Sequence, residues 1–219
     1  MSHEKLASTF DQWAAEGKDA GMETEHSNVV LQVVGQLGIR PGEQILDLGC
    51  GNGWATRLLA KAAAGAAAVG VDVSPKMIAR ADELHSLTIR ARYEVASFED
   101  LGFRDGRFDR VFSMEALYYS VDLDRAVAQA LRVLKPGGRA DVIVDFFTES
   151  PSTHSWPAKT GLAMHHLSTA QWCATFERAG FIEVRAQRVR DDRAPSSFDA
   201  AHAASKADGS LWISARKPS

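Results

Sequence analysis

Three glycines at alternate positions constrain this chain more than any other feature. Gly49, Gly51 and Gly53 lie between a short apolar run at residues 45–48 and an apolar pattern of helical period that begins at Trp54. Such a turn between a strand and a helix brings bare backbone close to a ligand, because glycine has no Cβ atom. The sequence therefore predicts a strand, a tight turn and a helix, with a ligand at the carboxyl end of the strand.

A second apolar run indicates which ligand is expected. Residues 68–72 end in Asp72, 25 residues after Asp47, which is about where a nucleoside-binding crossover places the acid that binds a ribose. A dinucleotide fold has a third small residue in the pattern G-x-G-x-x-G, but that position is Trp54 in this chain. Because an indole there argues against a pyrophosphate, we expect a ligand with a ribose and no phosphates.

Several segments resemble motifs of the class I S-adenosylmethionine-dependent methyltransferases. Asp47-Leu-Gly-Cys-Gly-Asn-Gly53 resembles their S-adenosylmethionine loop, and the other matching segments are residues 71–78, 97–103, 108–112 and 134–139. The resemblance covers residues 40–216 and is greatest to the small-molecule branch that includes ubiquinone/menaquinone C-methyltransferases. It implies S-adenosyl-L-methionine as cofactor, S-adenosyl-L-homocysteine as product, and in-line transfer of a methyl group to a small-molecule acceptor. The branch does not identify that acceptor.

The order of elements indicates an α/β fold. Strands are predicted at residues 45–48, 68–72, 91–95, 110–114, 140–146, 181–188 and 211–216, and helices at residues 54–63, 74–84, 122–134 and 168–179. This alternation predicts a single-domain, Rossmann-like, seven-stranded sheet that is mostly parallel and has helices on both faces. No convincing helix separates the last two strands, so we expect a hairpin that leaves antiparallel strand 7 at the edge of the sheet.

Two regions outside the glycine loop are expected to shape the substrate side. Residues 1–39 are predicted to form an N-terminal helical lid, and residues 40–219 the methyltransferase core. Within the core, an insertion at about residues 147–167 has no clear periodicity, and a connection of that length is more often functional than idle.

The resemblance implies roles for the residues of the cofactor site. The glycines would let the backbone approach the methionine and ribose portions, Asp47 would orient the loop amides, and Asp72 would accept both ribose hydroxyl protons. For Asp72 the alternative is an ordinary acid at a helix N-terminus, and for Met77 it is an ordinary core residue. The predicted cofactor-binding residues are Asp47, Gly49, Gly51, Gly53, Asp72, Met77, Ser97, Phe98 and Met114.

The adenine edge departs from the family pattern. Ser97 stands where family members often have an aspartate that accepts from the adenine amino group, with Phe98 contributing its backbone. A serine hydroxyl group is the weaker acceptor, and Glu99 or Asp100 is the alternative.

The acceptor is expected beyond the carboxyl ends of the strands. Candidates for acid–base work are Tyr119, Tyr118, His154, His26 and Glu115. Candidates for substrate contact are Trp13, Tyr118, Tyr119, Trp156 and His165. Each of these aromatic residues could equally be core, and each histidine a surface residue, so the catalytic residue stays unknown. The adjacent pair His165 and His166 is not predicted to bind a metal, because neighbouring side chains diverge and no third ligand is apparent.

Composition excludes several partners. The net charge is −3 and the basic residues are scattered, so there is no electrostatic footprint for nucleic acid. No apolar run approaches the roughly 20 residues of a membrane span, and no signal region is apparent, so we expect a cytoplasmic monomer or homodimer. Cys50 and Cys173 form no disulfide or metal framework. Two other functions remain open: a non-catalytic S-adenosylmethionine-binding sensor or structural protein, and an NAD-dependent oxidoreductase.

Overall fold

A computed structural model describes residues 2–194 and 200–219 as one seven-stranded sheet with helices packed against it. The strands are β1 (Gln44–Leu48), β2 (Ala67–Asp72), β3 (Ala91–Val95), β4 (Phe108–Met114), β5 (Leu134–Val144), β6 (Ile182–Val189) and β7 (Ser210–Arg216). The α-helices among these residues are α1 (His3–Ala15), α2 (Asp19–Leu37), α3 (Trp54–Lys61), α4 (Pro75–Glu83), α5 (Leu123–Val133), α6 (Trp156–Thr160), α7 (Thr169–Arg178) and α8 (Ala200–Asp208). The predicted α/β class and number of strands are confirmed.

The strand order explains where a ligand can bind. The order is β3-β2-β1-β4-β5-β7-β6, and the pairs β3/β2, β2/β1, β1/β4 and β4/β5 are parallel. The chain direction across the sheet reverses between β1 and β4, and open α/β sheets bind ligands in the crevice beyond the carboxyl ends of strands at such a point. The glycine turn follows β1, and Asp72 is the last residue of β2.

The predicted position of strand 7 is wrong. It is antiparallel, as expected, but β7 lies between β5 and β6, and β6 forms the edge. Most of β7 is buried and most of β6 is exposed or half-buried, so β7 needs a neighbour on both sides, whereas β6 tolerates water along one edge.

The predicted antiparallel pairing of these last two strands is confirmed, but the expectation that no helix separates them is wrong. Helix α8 stands between them, in a stretch whose alanines favour a helix without giving it an apolar stripe. Residues 195–199, which belong to the same connection, lie outside the described residues.

Two apolar layers hold helices against both faces of the sheet. On one face, α5 and α7 bury residues such as Val127, Trp172 and Phe176 against the strands. On the other face, α2 and α3 bury Val30 and Leu59. Because helices then cover both faces of the central strands, a ligand can bind at the ends of these strands rather than on a face of the sheet.

The first two helices cross the carboxyl end of the sheet. Helices α1 and α2 are separated by residues 16–18, where Gly17 has a φ of +72°, a left-handed conformation that favours glycine. Helix α1 packs against α4, the helix that follows β2. Among the described residues, no helix is both long and apolar enough to cross a membrane.

Candidate functional site

A cavity of about 420 Å³ lies at the carboxyl ends of β1, β2, β4 and β5, within the roughly 300–1,000 Å³ of small-molecule sites. Helices α1 and α2 contribute to its wall. The cavity brings together most of the residues predicted for the site: Asp47, Gly49, Gly51, Asp72, Met77, Phe98 and Met114 from the cofactor set, and Trp13, His26, Glu115, Tyr118, Tyr119 and Trp156 from the acceptor set. Gly53, Ser97, His154 and His165 do not line it.

The three loop positions require glycine for different structural reasons. All three have positive φ angles, of +75°, +52° and +77° in chain order. A Cβ atom on Gly49 would lie 2.2 Å from the Ala116 Cβ atom, and one on Gly53 would lie 2.4 Å from the Tyr93 ring. A Cβ atom on Gly51 would meet nothing within 4 Å, and Gly51 lines the cavity. Gly51 is therefore the glycine whose bareness leaves space for a ligand.

Asp72 is held by backbone donors on both carboxylate oxygens. Its Oδ2 atom accepts from the Gly51 amide at 3.0 Å, and Oδ1 accepts from the Ser74 amide at 2.9 Å. Burial raises the pKa of Asp72 to about 6, against the opposing effect of these two hydrogen bonds. Since a carboxylate oxygen can accept two hydrogen bonds, each oxygen retains capacity for a ligand hydroxyl group.

Asp47 is oriented differently from the prediction. Its Oδ2 atom accepts a 2.6 Å hydrogen bond from the Thr56 hydroxyl group of α3, whereas the sequence predicts that it orients the loop amides. Burial raises the pKa of Asp47 to about 7, and the nearby charge of Asp72 adds to this rise. Asp47 still lines the cavity.

We call the part of the cavity around the glycine loop and Asp72 the cofactor wall. Its apolar surface comes from Met77, Phe98 and Met114. The backbone of Ser97 instead pairs with that of Asp100 in an isolated bridge. The alternative acid, Glu99, accepts from the amides of residues 121 and 122 and pairs with His3, so its oxygens are used at the start of α5.

Helices α1 and α2 are joined to the cofactor wall by hydrogen bonds. Asp11 of α1 accepts from the Ser74 hydroxyl group at 2.6 Å and from the Lys76 amide at 3.0 Å. Asp19 of α2 accepts from the Asn52 side chain at 3.2 Å. Since Asn52 belongs to the glycine loop, both helices are tied to the segments that would hold a nucleoside.

The acceptor side of the cavity contains a buried acid, Glu115, in a left-handed backbone conformation with a φ of +51°. Its Oε2 atom accepts from the Tyr118 hydroxyl group at 2.9 Å, and Oε1 accepts from the Asp145 amide. Burial raises the pKa of Glu115 well above its usual range, and the charge of Asp145 adds to this rise. Glu115 therefore positions Tyr118 and the start of the segment after β5.

Sequence reasoning missed four charged residues of the cavity, Glu25, Asp145, Lys159 and Lys206. Asp145 immediately follows β5, and its Oδ2 atom lies 3.9 Å from His26 Nδ1 and 3.9 Å from Lys206 Nζ. A carboxylate at the end of a central strand is a signal that could have been used for Asp145. No comparable signal exists for Lys206, which lies on a helix that the sequence does not predict.

Aromatic rings complete the acceptor side. Phe10 makes edge-to-face contacts with Trp13 and Tyr119, at centroid distances of 5.1 and 5.2 Å. Tyr118 packs on Tyr119, and Trp156 of α6 stacks on Phe146. These side chains give the cavity a flat apolar wall close to its charged groups.

Two predicted histidines are engaged elsewhere. His154 is exposed and its ring contacts the Thr148 carbonyl oxygen at 3.0 Å. The His165 ring lies 2.9 Å from the Ser120 carbonyl oxygen, beneath the tyrosine pair. The structure does not bring either ring to the cavity.

Residues 46–141 match the family model described as "Methyltransferase domain". The 2-methyl-6-phytyl-1,4-hydroquinone methyltransferase of Synechocystis sp. is 31% identical over 63% of this chain and 50% of its own length. The demethylmenaquinone methyltransferase of Tropheryma whipplei is 36% identical over 50% of this chain and 44% of its own length. The chain spans about half the length of the curated relatives it matches.

A solved structure matches nearly the whole chain. A chain in the complex containing the Haloferax volcanii Trm112 methyltransferase activator is 29% identical, with a TM-score of 0.87 over 96% of this chain and 98% of that one. The matched domain, these relatives and this fold all agree with the resemblance to class I S-adenosylmethionine-dependent methyltransferases that the sequence predicts.

Proposed function

We propose that the protein transfers a methyl group from S-adenosyl-L-methionine to a small-molecule acceptor by in-line displacement. One observation carries the proposal: a single cavity joins the glycine loop and Asp72 to an aromatic and charged wall around Tyr118, Tyr119 and Trp156. A methyltransferase needs both regions side by side, because donor and acceptor must meet at near-attack distance.

The donor side fits a nucleoside without phosphates. Asp72 offers carboxylate capacity for two ribose hydroxyl groups, and the space in front of Gly51 is open. Met77 and Phe98 offer apolar surface for a base. Trp54, at the position that a dinucleotide fold needs small, also faces this cavity, which disfavours an NAD-dependent oxidoreductase.

The acceptor side disfavours a non-catalytic binder. Such a protein has no need of an open pocket beyond the donor, whereas here the cavity continues to Glu115, Asp145 and Trp156. The hydroquinone methyltransferase among the relatives is consistent with a flat, partly apolar acceptor, and this chain offers aromatic rings for one.

The chain's part in the reaction is mainly positioning. The bound donor supplies an activated methyl group on a sulfonium. Asp72 and the glycine loop would fix its nucleoside end, and the wall from Tyr118 to Trp156 would align the acceptor. We assign residues 1–39 as a lid that excludes water, supported by the hydrogen bonds of Asp11 and Asp19 to the cofactor wall. We assign residues 147–167, which include α6 and its Trp156, to the acceptor side.

Calorimetric titration of the purified protein with S-adenosyl-L-homocysteine, with NAD as control, tests the proposal. We expect S-adenosyl-L-homocysteine to bind with a dissociation constant on the order of micromolar. We expect no measurable binding of NAD. Asp72→Ala should lose most of this affinity, while Asp124→Ala, a change at an exposed acid that does not line the cavity, should retain it. Absence of S-adenosyl-L-homocysteine binding, or a preference for NAD, would overturn the proposal.

A further inference from the structure

Three ionisable side chains from separate elements converge on the acceptor side of the cavity. Asp145 follows β5, His26 lies on α2 and Lys206 lies on α8. All three line the cavity. Asp145 and Lys206 are only 3% and 8% exposed, so their charges are largely withdrawn from water.

The carboxylate of Asp145 is short of hydrogen bonds. Its Oδ2 atom lies 3.9 Å from both His26 Nδ1 and Lys206 Nζ, which is within reach of ion pairing but too long for a hydrogen bond. Its Oδ1 atom has no hydrogen-bond partner within residues 2–194 and 200–219. A buried acceptor without a donor is costly, and this atom belongs to a residue of the cavity wall. A buried oxygen without a partner, on a residue that lines the cavity, points to a ligand that donates to it.

The surrounding charges indicate what kind of donor fits. Lys206 and His26 both face the carboxylate, so a cationic amine brought to Asp145 would also lie beside the Lys206 ammonium group and be repelled. A neutral hydroxyl group brings no such charge. The neighbouring acid Glu115 is less suited to take up a proton, because burial raises its pKa well above its usual range and so favours a carboxyl group that already carries one.

We propose that Asp145 is the general base of the methyl transfer and that the acceptor is a flat, neutral compound with an acidic hydroxyl group, a phenol or an enol. The inference rests on the proposed function and assigns the acceptor side of the same cavity. The hydroxyl group donates to Asp145 Oδ1. The ammonium group of Lys206 lies 3.9 Å from Asp145 Oδ2, so the carboxylate has an opposite charge beside it.

The step balances without a further reactant. The acceptor oxygen forms a bond to the methyl carbon as the carbon–sulfur bond of the sulfonium breaks, and the electron pair of that bond remains on sulfur. The hydroxyl proton passes to Asp145 Oδ1. The products are a methyl ether, S-adenosyl-L-homocysteine and a protonated Asp145, which returns its proton to water when the cavity opens.

The test compares two probes on protein saturated with S-adenosyl-L-homocysteine. 2-Naphthol carries the hydroxyl group, and 2-methoxynaphthalene has the same rings without the donor. We expect the wild-type protein to bind 2-naphthol about tenfold more tightly, as for a hydrogen bond to a charged group, and Asp145→Asn to lose most of this preference, because a neutral carbonyl oxygen is the weaker acceptor. Asp124→Asn, at an exposed acid outside the cavity, is the matched control and should keep it.

A second variant separates Asp145 from its neighbour. His26→Gln leaves the carboxylate in place and should still prefer 2-naphthol; loss of the preference in His26→Gln would overturn the assignment of Asp145 even if Asp145→Asn did not fold. Equal binding of the two probes by the wild-type protein, binding of neither, or an unchanged preference in Asp145→Asn would also overturn it. Failure to bind S-adenosyl-L-homocysteine would instead overturn the proposed function, so the two failures are distinguishable.

Discussion

Asp11 of α1 accepts a 2.6 Å hydrogen bond from the hydroxyl group of Ser74, the residue that caps the N-terminus of α4. The Ser74 amide in turn donates to Asp72. Through Ser74, two hydrogen bonds thus link the first helix of the chain to the carboxylate proposed to hold the ribose. Motion of the helix and retention of the cofactor should therefore be coupled.

Asp11→Ala is expected to speed dissociation of S-adenosyl-L-homocysteine. Loss of hydrogen bonds of this kind costs about 1 kcal/mol, which corresponds to a roughly fivefold faster dissociation if the helix must open for release. Stopped-flow measurement of ligand release would detect the change. Glu4→Ala, at an exposed acid of the same helix, is the control and should leave the rate unchanged. Equal rates in all three proteins would show that α1 does not retain the ligand.

Binding of S-adenosyl-L-homocysteine should weaken in acid because of Asp72. Burial raises the pKa of Asp72 to about 6, and only the ionised carboxylate accepts from both ribose hydroxyl groups with full strength. Below that pKa, the dissociation constant should rise about tenfold for each pH unit, as one proton must be lost on binding. Calorimetry between pH 5 and pH 8 measures this slope.

Two Asp72 variants complete that experiment. Asp72→Ala should weaken binding by about 1.5 to 3 kcal/mol at neutral pH. Asp72→Asn, which keeps the shape but cannot ionise, should flatten the part of the pH dependence that centres near 6, leaving the contribution of Asp47, whose pKa burial raises to about 7. A pH profile identical in Asp72→Asn and the wild-type protein would assign the titration to another group.

Alanine at Gly51 and at Gly53 should give opposite phenotypes. Both residues have positive φ angles, so each substitution carries backbone strain of about 1 to 2 kcal/mol. At Gly53 the new Cβ atom also meets the Tyr93 ring, which should add about 1 to 3 kcal/mol of overpacking. At Gly51 it enters open space in the cavity instead.

The comparison of the two glycine variants needs both unfolding and binding data. Urea denaturation should show the larger loss of stability in Gly53→Ala. Titration with S-adenosyl-L-homocysteine should show the larger loss of affinity in Gly51→Ala. If Gly51→Ala bound the ligand as tightly as the wild-type protein, the ligand would not occupy the space in front of this glycine.

Local sequence patterns were sufficient for the first five strands and not for the end of the sheet. The places of β1 to β5 along the chain follow from apolar runs and the turns between them, which act over a few residues. The place of β7 depends instead on which neighbours β5 and β6 accept, a pairing between distant segments. Helix α8 was not predicted because its alanines and polar residues form no apolar stripe.

The candidate site divides in the same way. Motif spacing placed Gly51 and Asp72 at one cavity, since both follow directly from parallel strand ends. Which loop residue faces the cavity is set by tertiary contacts. Motif spacing therefore could not show that Gly51 lines the cavity and that Gly53 packs against Tyr93. Asp145 was not predicted as a site residue because the predicted strand at residues 140–146 includes it. In the structure β5 ends at Val144, so Asp145 lies just beyond the strand. Strand boundaries are the least reliable part of such predictions.

Glu115 should make the stability of the protein fall as pH rises. Burial, with the charge of Asp145, raises the pKa of Glu115 well above its usual range, so the folded state favours the protonated acid. For an acid shifted in this direction, the contribution to folding is complete below the unfolded pKa, near 4.3, and is lost as pH rises toward the folded pKa. Within that window the loss is about 1.4 kcal/mol per pH unit.

Glu115→Gln isolates this effect, because glutamine is neutral at every pH. Its carbonyl oxygen can accept from the Asp145 amide, and its amide nitrogen can donate to the Tyr118 hydroxyl oxygen, in place of the two bonds that Glu115 makes. We therefore expect Glu115→Gln to gain stability relative to the wild-type protein as pH rises from 5 to 7, measured by urea denaturation at several pH values. The raised pKa values of Asp47 and Asp72 cancel in this difference, since both proteins retain those acids. A difference in unfolding free energy that stays constant with pH would mean that Glu115 is ionised in the folded protein, and the hydrogen bonds from Tyr118 and the Asp145 amide would then outweigh its burial.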